Sequence, residues 1–323
     1  MKKVMPILIL LAGINISINA KIITVDNAGR IANYTSLSTA VTAATVGDTI
    51  LIGGSPANYD NITLQKRLCF IGPGYFLTEN PNTIEYKVPA KITTVTFSPG
   101  SEGSVIMGMT IANITVSTSN ITIKRCNLNG SIYINGNGNT IKQNYFTIHY
   151  SGTTTYFFQI NGRDNIIRNN YFANTASWSY PVFNCGTTNM VENNIFNGSI
   201  AINSSLFGNN IIYAGNTSFT NSSIYNNISG SDQVGTENGN QSNVSMSAVF
   251  YLTGSSDGKY ILAPGSPAIG AGYEGVDCGI FGGNDPYVLS GIPDIPVITS
   301  LTVPVRTSPT NGLEVIMNVR SNK

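Results

Sequence analysis

The sequence predicts an all-β chain wound into a right-handed parallel β-helix, a solenoid with an N-terminal capping helix and a C-terminal strand tail. Three observations carry that expectation. A short sentence, Ile-x-x-Asn-x-Phe with close variants, recurs from Ile106 to Ser229, its first positions 17, 18, 26, 24, 16 and 17 residues apart. Within each copy the residue types alternate at the strand period of two. Two polar columns run through the copies, Asn144, Asn170, Asn194, Asn210 and Asn227 in one, and Asn135, Asn161, Cys185, Asn203 and Asn221 in the other. A segment this short cannot bury an apolar face alone, so neighbouring copies must stack on a shared core. Asn tolerates the left-handed backbone of a tight corner, and its amide can bond an identical amide one coil above. Two columns in different phases mark two corners of one coil. The Leu spacing of a leucine-rich repeat and the four-strand blades of a propeller are both missing.

Taken in order, residues 1–20 read as a secretory signal peptide: Lys2 and Lys3, an apolar run from Ile7 to Ile18, then Ala20 at the cut. A second long apolar segment is absent from the rest of the sequence, and a secreted, surface or periplasmic location follows from that reading. Thr35 to Val46 is expected to be a helix, with Leu37, Ala40, Val41 and Ala44 on one face, Thr35 or Ser36 as cap and Gly47 as stop. Strands are expected at 47–52 and 68–75. Residues 76–104, with Pro81, Pro89 and Pro99, read as an irregular excursion before the ladder. Residues 21–290 form the solenoid, polar residues 230–243 a loop within it, and 291–323 a β tail on the last coil. Asp277, before Gly279, reads as a turn carboxylate in preference to a calcium ligand.

Runs such as Ile167-Arg-Asn-Asn-Tyr-Phe172 resemble the ladders of secreted bacterial β-helix proteins of the pectate-lyase-like superfamily. The helix followed by Gly47-Asp-Thr-Ile50 looks like the N-terminal cap of such proteins. The pair Tyr260–Gly272 and Asp277–Gly283 resembles their closing segment. The resemblance implies a fold more than a chemistry, because that superfamily includes lyases, hydrolases, tailspikes and adhesins.

Net charge is +1 with 10% charged residues, a poor match to nucleic acid. Four Cys in a secreted chain would ordinarily pair. Here Cys126 and Cys185 occupy Asn slots at two different corners, and Cys69 lies several coils below Cys126, so four free thiols are expected. A single His, His149, excludes a multi-His metal centre, and no metal or cofactor is expected. The ladder's two carboxylates, Asp164 and Glu192, lie about 13 Å apart along a strand, against the roughly 5–9.5 Å of glycosidase pairs. Lys124, Lys142 and Arg168 share one offset and form a basic column, readable as solvated charge or as a rail for an acidic glycan. The segments after Phe146 and Phe172 are longer than in neighbouring copies, at one corner of consecutive coils, and hold Tyr150, Tyr156, Phe158, Trp178 and Tyr180. Aromatic rings beside a groove pack on sugar faces. The expected function is binding of an extracellular polysaccharide by Tyr150, Tyr156, Trp178 and Tyr180 beside Arg163, Asp164, Lys142 and Arg168. The alternatives are a polysaccharide lyase or glycoside hydrolase of the same fold, or a structural or adhesive surface protein.

Overall fold

The computed structural model describes residues 20–148, 158–174, 183–304 and 312–321, so all but the last residue of the segment expected to be a signal peptide lies outside the described residues. The chain is an all-β parallel β-helix. Ten short strands, from Ile22–Val25 through Thr122–Lys124 and Ile166–Arg168 to Ser223–Tyr225, stack in parallel as a first face. A second face holds Asn127–Leu128, Tyr145–Ile148, Tyr171–Asn174, Ile195–Asn197, Ile211–Ala214 and Ile228–Ser229. A third holds Ile132–Ile134, Phe158–Ile160, Phe183–Cys185, Ile200–Asn203 and Thr217–Thr220. Lys91–Phe97 and Thr110–Val116 run unbroken through the bend between the second and third faces, joining them as one sheet. Lys91–Phe97 falls inside the stretch expected to be irregular. Its Ile92, Val95 and Phe97 point inward, and its threonines are ordinary strand residues that the nearby prolines disguised.

The register makes inward side chains stack like on like. Ile106, Ile123, Ile141, Ile167, Val191 and Phe207 form one buried column. On the second face Phe146, Phe172 and Phe196 stack with centroids 4.4 and 4.8 Å apart and rings nearly parallel. Edge-on contacts from Phe158 and Phe183 on the third face close the core.

Asn144, Asn170, Asn194, Asn210 and Asn227 do stand in one fully buried column. From Asn170 onward each Oδ1 accepts both the backbone N–H and the Nδ2 of the Asn one coil earlier, all at 2.9–3.1 Å, while Asn144 Oδ1 accepts the Cys126 N–H. Each remaining Nδ2 proton goes to a strand carbonyl, as from Asn170 to Ile141 O at 2.9 Å. Asn240, in the polar stretch after Ser229, extends the ladder by one rung. The left-handed backbone, however, sits one residue earlier, at Arg125, Gln143, Asn169, Asn193, Asn209 and Asn226, with φ between 51° and 58°. The doubled Asn of the repeat thus divides two tasks: the first turns the corner and the second bonds the interior.

The second expected column is out of register. Cys185 pairs with Ile160 and Ile202 and belongs to the apolar core, and Asn221 is a left-handed corner residue. Asn161 Nδ2 donates to Asn135 Oδ1 at the surface, and Asn203 reaches the backbone carbonyl of Cys185. The real second ladder is interior and runs Asn139, Asn165, Asn189 and Ser205. Gly138, Asp164, Thr188 and Ser204 turn left-handed just before its members.

The expected helix is shorter, Leu37–Ala43, capped by Ser36 Oγ and packed on strands 22–25 and 62–64 through Leu37, Ala40 and Val41. It ends early because the buried Asp48 carboxylate captures the Thr45 N–H and the Lys21 N–H. The tail does not lie on the last coil. Val297–Thr302 pairs antiparallel with Ile316–Arg320, and Glu85 N–H donates to Ile298 O, which anchors this ribbon on the early coils.

All four cysteines are free. Burial pushes the thiols of Cys126, Cys185 and Cys278 up to about 12. Protein unfolded without reductant should titrate four thiols, while native Cys126, Cys185 and Cys278 should stay silent to a disulfide reagent near neutral pH. A zero count after unfolding would contradict the arrangement.

Candidate functional site

What the solenoid offers a ligand is set by what already covers it. After the last coil, residues 246–294 run back along the outside as a strap. The outward column of the second face, Tyr145, Tyr171, Ile195, Ile211 and Ile228, is buried beneath Phe250, Tyr260, Ala268, Cys278, Ile280 and Tyr287. The left-handed corner residues hold the strap by its backbone. Asn226 Nδ2 donates to Ala271 O, Asn193 Nδ2 to Asp277 O and Asn169 Nδ2 to Ile280 O, each at 2.9 Å. Gln143 Nε2 donates to Pro286 O at 2.6 Å and Arg125 Nη1 to Ile292 O at 3.0 Å. Within the strap, Asp277 Oδ1 accepts the Gly270 N–H, so that carboxylate closes a turn.

The basic column belongs to the same seam. Lys124, Lys142 and Arg168 are adjacent in register, as expected. They are neither solvated charge nor an open rail. Lys142 Nζ lies 2.7 Å from Asp285 Oδ1, Arg168 Nη2 2.5 Å from Asp285 Oδ2, and Lys124 Nζ 2.6 Å from Asp294 Oδ2. Burial alone would raise the Asp285 carboxyl, but the Lys142 hydrogen bond and the Arg168 and Lys142 charges outweigh it, and its net shift is downward. Glu192, next in the column, accepts from Tyr225 OH at 2.7 Å.

Arg163 and Asp164 sit elsewhere, at the corner where the third face passes into the first. Asp164 has φ 59° and donates its backbone N–H to Thr188 O. Four residues of strand, about 13 Å, separate Asp164 from Arg168. The expected cluster is therefore split: Arg163 and Asp164 face an open corner, while Lys142 and Arg168 are engaged beneath the strap. Asp164 and Glu192 likewise stand at opposite ends of neighbouring rungs, too far apart for a paired-carboxylate hydrolysis. Tyr150, Tyr156, Trp178 and Tyr180 lie outside the described residues. Their loops leave and re-enter at adjacent rungs, since Ile148 pairs with Asn174 and Phe158 with Phe183. Phe158 itself is fully buried core and not a loop aromatic.

The open corner carries a groove of about 560 Å³ along the first face. Its floor is the outward apolar run Ile166, Met190 and Leu206, in register on three successive coils, with Leu206 42% exposed. Asp164, Thr188, Ser204 and Asn221, all left-handed, form a rim of oxygen and amide groups on one side. Sequence reasoning passed over this floor because its members adjoin the core column. The signal was present: the residue before each core position is Thr at Thr122 and Thr140, then Ile166, Met190 and Leu206. Between groove and loop stems lies the third face, a strand of three residues or about 10 Å wide, whose outward Tyr133, Gln159, Asn184, Ala201 and Ser218 are uncharged. Among the described residues no three His, Cys, Asp or Glu gather as a metal site, and no helix is long and apolar enough to cross a membrane.

Fold and surface together define a strapped parallel β-solenoid with one open flank. No protein-family model, curated protein or solved structure matches the chain.

Proposed function

We propose that this is a secreted β-helix protein, akin to the pectate-lyase-like superfamily, that binds an uncharged extracellular polysaccharide on its open flank. The observation that carries the reading is the apolar run Ile166–Met190–Leu206 beneath a rim of hydroxyl and amide groups with a single carboxylate, Asp164. A sugar ring presents C–H faces and equatorial hydroxyls, and the groove offers a partner to each. Tyr150, Tyr156, Trp178 and Tyr180 would extend that surface from the loops across the third face. An acidic glycan is disfavoured, because Lys142 and Arg168 already hold Asp285. Binding is favoured over cleavage because the carboxylates stand too far apart.

Calorimetric titration against neutral and uronate polysaccharides tests this. Neutral glycans should bind with little dependence on salt. Leu206→Asp and Trp178→Ala should each weaken binding by about 1–3 kcal/mol without shifting the unfolding midpoint. Salt-sensitive preference for polyuronates would overturn the uncharged class. Absence of binding across the panel would leave a structural solenoid, and new reducing or unsaturated ends would make it an enzyme.

A further inference from the structure

The C-terminal ribbon is inside out. Opposite residues of an antiparallel pair share a face, and here Ile298 pairs with Val319 and Leu301 with Met317. The other face carries Ser300 and Asn318, whose side chains bond at 2.6 Å, with Thr302, Ile316 and Arg320. This more polar side is rooted at one end, where Val297 is buried against Leu77 and Ile292 and Arg320 lines the cleft beside Asn80 and Tyr287, although Ile316 on it is 52% exposed. Ile298, Leu301, Met317 and Val319 are 39%, 46%, 54% and 53% exposed. The alternation continues outward through Val303, Leu313 and Val315, 48%, 57% and 49% exposed. A two-stranded ribbon is marginally stable in water by itself, and an apolar face turned to solvent makes it less so.

We propose that this face is a dimerisation surface, occupied by the same ribbon of a second copy of this chain. Three features single out a second copy. Among the described residues the face is uncharged, since Glu314 and Arg320 fall on the opposite side by the strand period, so two copies meet without repulsion. An apolar patch can pack on its own copy, and a two-fold contact requires a patch that binds itself. Its area is sufficient: seven apolar side chains, each about half exposed, present several hundred Å² per copy, and two faces together approach the roughly 1,200 Å² at which specific interfaces begin. Stacked ribbons about 10 Å apart form a two-layer, four-stranded sandwich whose interior is the present exposed face.

The test is sedimentation of the full chain from about 1 to 100 µM. The expected result is a concentration-dependent rise toward twice the monomer mass. The double substitution Leu301→Lys with Met317→Lys should raise the dimer dissociation constant at least 10-fold while leaving the unfolding midpoint in place, because both side chains are exposed. Arg320→Glu, on the polar face, should leave association unchanged. A wild-type chain that stays monomeric over this range overturns the proposal, whether or not it then pellets with phosphatidylcholine vesicles. A lysine variant that dimerises as strongly as wild type overturns it as well.

Discussion

Replacing Asn170 with Leu should lower the stability of the solenoid by about 3–6 kcal/mol. The two side chains are similar in volume, so the loss is chemical. The substitution removes the acceptor of the Asn144 N–H and Asn144 Nδ2, and the donor to Ile141 O and Asn194 Oδ1. All these groups are buried where no water can substitute, and each orphan costs about 1–3 kcal/mol. Urea denaturation followed by circular dichroism should show the midpoint fall steeply. A shift within a few tenths of a kcal/mol would mean that the interior amides are not bonded as described.

The second large effect is expected at Asp257, a fully buried carboxylate in the strap. It accepts from Ser290 N–H at 2.7 Å, Asn80 Nδ2 at 2.8 Å, Ser255 Oγ at 3.1 Å and Tyr287 OH at 3.2 Å. Tyr287 in turn bonds Tyr75, so the cluster ties the strap to the early coils. Asp257→Ala should cost about 3 kcal/mol by stranding these donors, and the cost should be local. Hydrogen exchange should accelerate in residues 75–80 and 285–292 while the interior rungs around Asn144 and Asn170 keep their protection. Equal loss of protection in both regions would show that strap and coil are not separable units.

The Ile and Phe columns and the Asn144–Asn227 ladder were legible because a stacked coil repeats its inward positions, and the repeat length survives even the two long insertions. The helix was legible too, although its sequence admits either Thr35 or Ser36 as cap and its expected end falls too late. Three features were hidden for distinct reasons. The Asn139–Asn165–Asn189 ladder lies two residues before each core Ile or Val, but counting forward from the Phe slot passes through loops of unequal length and loses the phase. The strap carries no repeat, and its partners at Asn169, Asn193 and Asn226 are far away in sequence. Asp285 and Asp294 therefore gave no hint that they would neutralise Lys142, Arg168 and Lys124. Of the expected site, only Arg163 and Asp164 face open surface among the described residues. The groove floor was readable in principle from Ile166, Met190 and Leu206, whose outward positions a half-buried strand would ordinarily fill with polar residues.

The backward course of the strap also bears on how the chain folds. A bare solenoid propagates rung by rung, each coil answering only to its neighbours, and can fray from either end. Here Tyr75 meets Tyr287 across 212 residues, Asn80 meets Asp257 across 177, and Lys124 meets Asp294 across 170. Such contacts must await the coils between them, so loop-closure entropy places them late, after a slow search through non-local pairings. Once made, they join the third rung to the strap, which is held in turn to the later coils, so losing a terminal rung loosens the seam along the whole length. An additive, one-dimensional array becomes a closed cooperative unit, and its resistance to unwinding resides in residues 246–294, which follow every coil in the chain.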